Sequence, residues 1–240
     1  MIEIRQFGLV CIAGMALASL VVGCEKRASS PQSANAAESV LESGAISASP
    51  ASASYRNQQY IDAIQGLSFT EDGLLNVEPL ERYDIRFAQQ RQADAYDLSQ
   101  AGYALDAIKA WCDAIRAAPD IAEPYNSFGL ALRLQNKPTQ ALAAFNSALI
   151  YDPQFTDAQY NLAITLWMMG NRADATQQML GVVNLQNDHA LAYEKLAIWH
   201  YYAADDEAAW DYVQAALELD HEMPPQFMAL LSKRTPKPSR

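Results

Sequence analysis

Cysteine and histidine carry the most reactive side chains of this sequence, and each occurs three times in 240 residues. The sequence has no CxxC, CxxCH, HExxH or GxSxG motif and no phosphate-binding glycine run, so no metal site, nucleophile or nucleotide site is indicated. Cys112 lies in an apolar helical pattern with no identifiable base beside it, where a thiol is usually a small buried hydrophobe. His189, His200 and His221 stand apart, as structural or surface histidines do. The sequence therefore predicts no enzyme, cofactor, metal or small-molecule substrate.

Cys24 ends an uncharged apolar run, residues 7–23, that follows Arg5. This is the layout of a secretory signal, and at about 17 residues the run is marginal for a spanning helix. The sequence VVGC at positions 21–24 resembles the lipobox of bacterial lipoproteins. The resemblance implies that residues 1–23 are a signal peptide and that Cys24 is acylated, becomes the first mature residue and anchors the chain in a membrane. The alternative is an uncleaved signal anchor in which Cys24 is incidental.

The segment 24–54 is rich in serine and alanine and has no apolar periodicity. Such a segment cannot bury enough apolar surface to offset the entropy of ordering, so a disordered tether is predicted. A flexible chain of about 30 residues spans roughly 30 Å, which would hold a folded domain away from a bilayer. Glu25, rather than the aspartate that retains enteric lipoproteins in the inner membrane, follows Cys24, which favours a periplasm-facing position on the outer membrane.

The formal net charge is −11, and the acidic residues concentrate in one region. Residues 88–223 contain 7 Lys and Arg against 18 Asp and Glu. Because such a body repels polyanions, nucleic acid is not an expected partner. The basic tail, 235–240, is interpreted as a solvated terminus.

A repeat of 34 residues organises the second half of the chain. Four gapless blocks each carry two apolar stripes at helical spacing: 88–121, 122–155, 156–189 and 190–223. Small residues recur at the eighth, twentieth and twenty-seventh positions, and a larger residue recurs at the twenty-fourth as Trp111, Phe145, Met179 and Val213. The blocks are interrupted near the middle by Gly102, Asn136, Gly170 and Ala204. The pattern predicts antiparallel helix pairs that bury their apolar faces only by stacking.

The blocks resemble the tetratricopeptide repeat. The second block matches its pattern nearly throughout, with Tyr125, Phe128, Gly129, Ala141, Phe145, Ala148 and Pro153. The resemblance covers residues 88–223 and implies an all-α fold, a right-handed α-solenoid of four helix pairs. The first block departs from the pattern, with Arg91 and Asp94 in place of large apolar residues. The start of its first helix is therefore expected to be exposed or covered by upstream residues.

Two segments flank the repeats. Residues 224–234 begin with prolines and continue with Phe227, Met228, Leu230 and Leu231, which predicts a capping helix. Upstream, residues 55–87 carry enough apolar side chains to be more than a linker, and one or two short helices packing on the first repeat are predicted.

In the tetratricopeptide family the first helix of each pair lines a concave groove. Carried over to this sequence, the groove positions are polar in the first half and aromatic in the second. The residues predicted to contact a peptide are Asn126, Leu130, Arg133, Tyr160, Ile164, Trp167, Glu194, Ile198, Tyr201 and Tyr202. Too few basic residues are present for a clamp on a terminal carboxylate, and the aromatic half suits an apolar or amphipathic segment. The alternative is that upstream residues or the next layer of helices cover these positions.

The combination of a lipobox and tetratricopeptide repeats resembles envelope proteins such as pilotins of secretins and adaptors of peptidoglycan enzymes. It implies a membrane-anchored scaffold of the cell envelope that binds a protein or peptide through the groove, as in assembly of a pilus or secretin. The alternative is a structural spacer, a self-associating module or a binder of an apolar ligand, without a peptide partner.

Overall fold

The computed structural model describes residues 50–236, with side chains from residue 57 onward. The predicted signal peptide, Cys24, the tether up to residue 49 and the end of the basic tail lie outside this range.

Ten helices occur in the described residues, and eight of them form four consecutive antiparallel pairs. The pairs are α2 (Ile85–Gln100) with α3 (Ala104–Ala117), α4 (Ala122–Leu134) with α5 (Pro138–Tyr151), α6 (Thr156–Met168) with α7 (Arg172–Leu185), and α8 (Ala190–Tyr202) with α9 (Asp206–Glu218). Each second helix also packs on the first helix of the following pair. The predicted all-α stack of four helix pairs is confirmed, and the last three pairs begin at the first residues of their 34-residue blocks.

The turn inside each pair is made by one residue with a left-handed backbone. Gly102 and Gly170 have φ of 83° and 87°, and Asn136 and Ala204 take the same conformation at the equivalent positions. In each turn the amide that follows this residue donates to a carbonyl one turn back in the helix, as Asn171 does to Leu166 at 3.0 Å. This geometry caps the helix carboxyl end and reverses the chain, which explains why the pattern breaks there.

Small residues let the two helices of a pair approach closely. Ala95, Ala163 and Ala197 are fully buried at the eighth position of their blocks. At the equivalent Gly129, an added Cβ would lie 2.7 Å from the ring of Phe145, which is itself fully buried. The approach of α4 to α5 is thus set by a glycine against an aromatic ring.

The first repeat replaces apolar contacts with ion pairs. The Arg91 guanidinium lies 2.8 Å from Asp94 and 3.3 Å from Asp113 of α3. The start of α2 is exposed, as at Phe87. The departures at Arg91 and Asp94 therefore form an electrostatic link between α2 and α3.

The segment before the repeats differs from the prediction. A helix, α1 (Pro50–Ala63), begins within the segment 24–54 predicted as tether, and proline suits its first turn. It is followed by an antiparallel hairpin of β1 (Leu67–Phe69) and β2 (Leu75–Val77), where only short helices were predicted. Strands of three residues are too short to show an alternating pattern in the sequence.

This N-terminal segment, residues 50–84, packs on the second helices of the first two pairs. Tyr60, Leu67 and Leu75 are buried in one core with residues of α3, α4 and α5. The Leu75 amide donates to the buried Ser147 hydroxyl of α5 at 2.9 Å, and the Arg116 side chain of α3 donates to the Glu78 carbonyl at 2.9 Å. The backbone and side-chain contacts thus tie the segment to the outer helices.

The last helix, α10 (Pro225–Arg234), follows the fourth pair. Its Phe227 and Leu231 are buried with Trp210 and Val213 of α9. The Trp210 indole donates to the Thr235 carbonyl at 3.1 Å. The helix covers apolar surface of the last pair.

Candidate functional site

The surface formed by the first helices of the pairs, α2, α4, α6 and α8, is termed here the first-helix face. It carries the predicted groove residues. The N-terminal segment contacts α3 and α5 through Tyr60, Leu75 and Glu78, and these are second helices. The segment is therefore held on the other helix layer.

The first half of the face is polar and open. Gln89, Gln92 and Tyr96 of α2 share a hollow of about 550 Å³ with Glu123 of α4. The Asn126 side chain accepts a hydrogen bond from Asn161 of α6 at 3.1 Å. This part of the face presents amides and carboxylates, which favour hydrogen bonds over apolar contact.

Arg133 lies between the two halves. Its guanidinium is half-buried, and burial lowers its pKa. Within residues 50–236 its buried Nη1 atom has no hydrogen-bond partner. On the next helix, burial, with a contribution from the charge of Glu194, raises the pKa of Tyr160 to about 12, so the phenol stays protonated. Arg133 and Tyr160 thus supply hydrogen-bond donors at the centre of the face.

The second half is aromatic, and its rings support one another. Trp167 stacks on Trp199 with ring centroids 4.5 Å apart and planes 4° apart, and Tyr160 stacks on His189 at 5.0 Å. Offset stacking adds about 0.5–1.5 kcal/mol beyond area burial. The rings are thus fixed in place. Leu130, Ile164 and Ile198 are half-buried beneath this surface.

Two predicted groove residues belong to the interior or to the end of the stack. Glu194 is 8% exposed and pairs with Lys195 at 2.7 Å and with His221 at 2.8 Å. Burial alone would raise the pKa of Glu194, but the hydrogen bonds from both partners together lower it below its usual range. Tyr201 has the Arg234 guanidinium 3.6 Å from its ring centroid and Phe227 against its edge. Both side chains therefore contact residues that follow α9, and their contact with a peptide remains a prediction.

An exposed line of apolar side chains, termed the apolar ridge, runs along one side of the face. It consists of Leu134, Met168 and Tyr202, the last residues of α4, α6 and α8, and each is 62% exposed. The Trp167 ring lies 6.5 Å from that of Tyr202 and joins the ridge to the stacked tryptophans. Leu134 and Met168 take the same position in their 34-residue blocks, the thirteenth, as Tyr202, which is predicted to contact a peptide.

Carboxylates border the opposite side, at the amino ends of the same helices. Asp120, Glu123, Asp152 and Asp157, termed the acidic rim, line a hollow of about 730 Å³ together with Asn126 and the exposed Tyr151. In the described part of the chain, none of the four is ion-paired with a basic side chain. Their charge is evident from the sequence, but only the arrangement of the turns brings them together.

Other reactive groups form no site in the described residues. Cys112 is buried, and burial raises the pKa of its thiol. No group of three or more His, Cys, Asp or Glu residues within 50–236 could hold a metal ion. Across the same range, every helix is too short or too polar to span a bilayer.

The paired helices have the fold of tetratricopeptide repeat proteins, and part of the stack matches a family model. The tetratricopeptide repeat family model matches residues 132–198. No curated protein matches the chain.

Solved tetratricopeptide proteins share the fold at low identity. MamA from Desulfovibrio magneticus RS-1 is 20% identical, covering 62% of this chain and 85% of its own, with a TM-score of 0.55. PilF of Pseudomonas aeruginosa is 18% identical, covering 62% and 69%, with a TM-score of 0.57. YrrB, described as having an unusual peptide-binding site, is 20% identical, covering 61% and 74%, with a TM-score of 0.50. At these identities the likeness shows the fold.

Proposed function

We propose that the chain is a protein-interaction scaffold of the bacterial cell envelope, held to the membrane by acyl chains on Cys24 and binding a segment of another envelope protein on its first-helix face. Assembly of an envelope complex such as a pilus or secretin is the setting that the lipobox resemblance favours. The more general statement, that the chain is a scaffold for protein interaction, is supported by its repeat fold. The anchor and the periplasm-facing position on the outer membrane are supported by residues 1–54 of the sequence alone, and the kind of complex by the combination of lipobox and repeats.

The observation that carries the proposal is the aromatic half of the first-helix face. Trp167 and Tyr202 are held by ring contacts rather than by a covering segment, and Tyr202 and Met168 remain largely exposed. Accessible aromatic side chains held in place by neighbouring rings are typical of binding hot spots. The N-terminal segment occupies the second helices, so a partner need not displace it.

The test is site-specific photocrosslinking in the native host. A photoreactive residue at position 168 or 202 should capture one specific envelope protein. The same residue at position 150 or 185, exposed on second helices, is the control and should not capture it. Equal capture from both faces, or capture of a second copy of this chain, would refute binding of a separate partner at this face.

The anchor is tested separately by fractionation. Cys24→Ala should move the protein from the outer-membrane fraction to the soluble or inner-membrane fraction. Unchanged outer-membrane recovery would remove acylation from the proposal while leaving the binding face untouched.

A further inference from the structure

The first-helix face has two unlike borders at a fixed separation. In α4, Glu123 and Leu134 are eleven residues apart, and in α6 so are Asp157 and Met168. At about 1.5 Å per residue, the acidic rim and the apolar ridge are roughly 16 Å apart. An α-helix with its side chains is about 10–12 Å across, so a helix laid between the two borders would leave a gap of only a few ångströms to each, which long side chains can cross.

The apolar ridge repeats in three successive pairs, which distinguishes it from scattered surface hydrophobes. Exposed single apolar residues are ordinary, whereas Leu134, Met168 and Tyr202 take the same position in consecutive repeats and adjoin the tryptophan stack. With adjacent packed helices about 8–10 Å apart, the ridge extends for roughly 20 Å. That length corresponds to about 13 residues of helix.

Charge decides what kind of helix fits. Glu123 and Asp157 are exposed and have no ion pair within the described residues. The Asp152 carboxylate accepts a hydrogen bond from the Gln154 backbone amide, and the Asp120 carboxylate accepts one from the Tyr83 hydroxyl. The repeats as a whole are strongly acidic. At the acidic rim an anionic segment would be repelled and a cationic one attracted. The attraction acts over about one Debye length, about 8 Å at physiological ionic strength.

We infer that the partner segment is a cationic amphipathic helix, which lies across α4, α6 and α8 with large apolar residues on the apolar ridge and lysine or arginine residues toward the acidic rim. This inference rests on the proposed function and specifies the chemistry of its partner. The exposed Tyr151 ring beside the rim offers a further contact for a cation.

The test measures binding of fluorescent 18-residue helical peptides to the full chain in nonionic detergent, with binding to detergent alone subtracted. One peptide has leucine on one side and lysine on the other. A second replaces every lysine by glutamate, and a third has the composition of the first with its apolar stripe scrambled. The first should bind about tenfold or more tightly than the others at low salt, and its advantage over the glutamate peptide should shrink as salt rises.

Two pairs of variants locate the contacts. Glu123→Gln with Asp157→Asn should weaken binding of the lysine peptide about threefold to tenfold. Glu71→Gln with Asp72→Asn removes the same charges from the exposed hairpin turn and should have no effect.

On the apolar side, Met168→Ala with Tyr202→Ala should weaken binding about tenfold. Ile150→Ala with Leu185→Ala, exposed on second helices, should leave it unchanged. Circular dichroism of each variant verifies the fold.

The inference would be overturned if the glutamate peptide bound as tightly as the lysine peptide or more tightly. It would also be overturned if the rim variant bound the lysine peptide as well as the hairpin control does. If the ridge variant kept its peptide affinity but lost association with phosphatidylcholine–phosphatidylglycerol vesicles, the ridge would contact lipid and the inference would also fail. If an envelope partner crosslinks at position 202, the proposed function stands even when the peptide experiments fail. If no partner crosslinks there, both the proposed function and this inference fail.

Discussion

Replacing Gly129 by alanine tests how the helix pairs are packed. Helix propensity alone predicts stabilisation by about 0.5–1 kcal/mol, and three of the four repeats carry alanine at this position. The structure predicts the opposite, because the new methyl group would lie 2.7 Å from the Phe145 ring, which is fully buried and cannot swing away. Overpacking costs about 1–3 kcal/mol, so we expect a net destabilisation of about 1–2 kcal/mol.

The second change identifies the cause. The third repeat pairs Ala163 with Met179 at these positions, so Gly129→Ala with Phe145→Met should recreate a tolerated pair. The double variant should be more stable than the sum of the single changes by about 1–2 kcal/mol.

The assay is urea unfolding of the full chain, with hydrogen exchange in α4 and α5 because repeat proteins can unfold locally. Ala173→Gly, at an exposed position in α7, calibrates the propensity contribution on its own. A raised urea midpoint for Gly129→Ala, or additive single and double changes, would refute the close-approach explanation.

Two further substitutions probe the packing, one in each layer of helices. Glu194→Gln should lower stability by about 1–2 kcal/mol at pH 7 by weakening the contacts with Lys195 and His221. Since the folded-state pKa of Glu194 is lowered, this stabilisation is present above about pH 5 and is lost as pH falls through the folded value. The stability difference from wild type should therefore narrow as the pH falls below about 5, and a constant difference would contradict the assignment. Ser147→Ala leaves the buried Leu75 amide without its acceptor, which should cost about 1–2 kcal/mol of stability. Amide hydrogen exchange should become faster in residues 67–77 and stay unchanged in α8 and α9. Faster exchange throughout the chain would show that the hairpin does not unfold as a local unit.

The helix pairs could be predicted because the determinants recur. A residue suited to a left-handed turn appears at Gly102, Asn136 and Gly170, 34 residues apart, and alanine recurs where helices touch. The hairpin could not be predicted, because its turn and the strand Leu75–Val77 are held by contacts with distant residues of α5 rather than by their own pattern.

The candidate surface was predictable by position but not by accessibility. Trp167 and Tyr202 lie on the first-helix face as expected, yet Glu194 at an equivalent kind of position is buried. What decides the difference is His221, 27 residues later in the chain, whose ring nitrogen lies 2.8 Å from the Glu194 carboxylate. Pairings of that kind depend on the ends of the stack, where the repeat no longer constrains the sequence.

The attachment of the N-terminal segment determines how a pulling force would pass through the molecule. Residues 50–84 contact α3 and α5, so tension applied at the amino terminus would be carried by the first two repeats. The stacked rings of Trp167 and Trp199 belong to the third and fourth repeats. A load pulled by a partner held at these rings would therefore cross the interfaces between successive helix pairs before it reached the amino-terminal attachment.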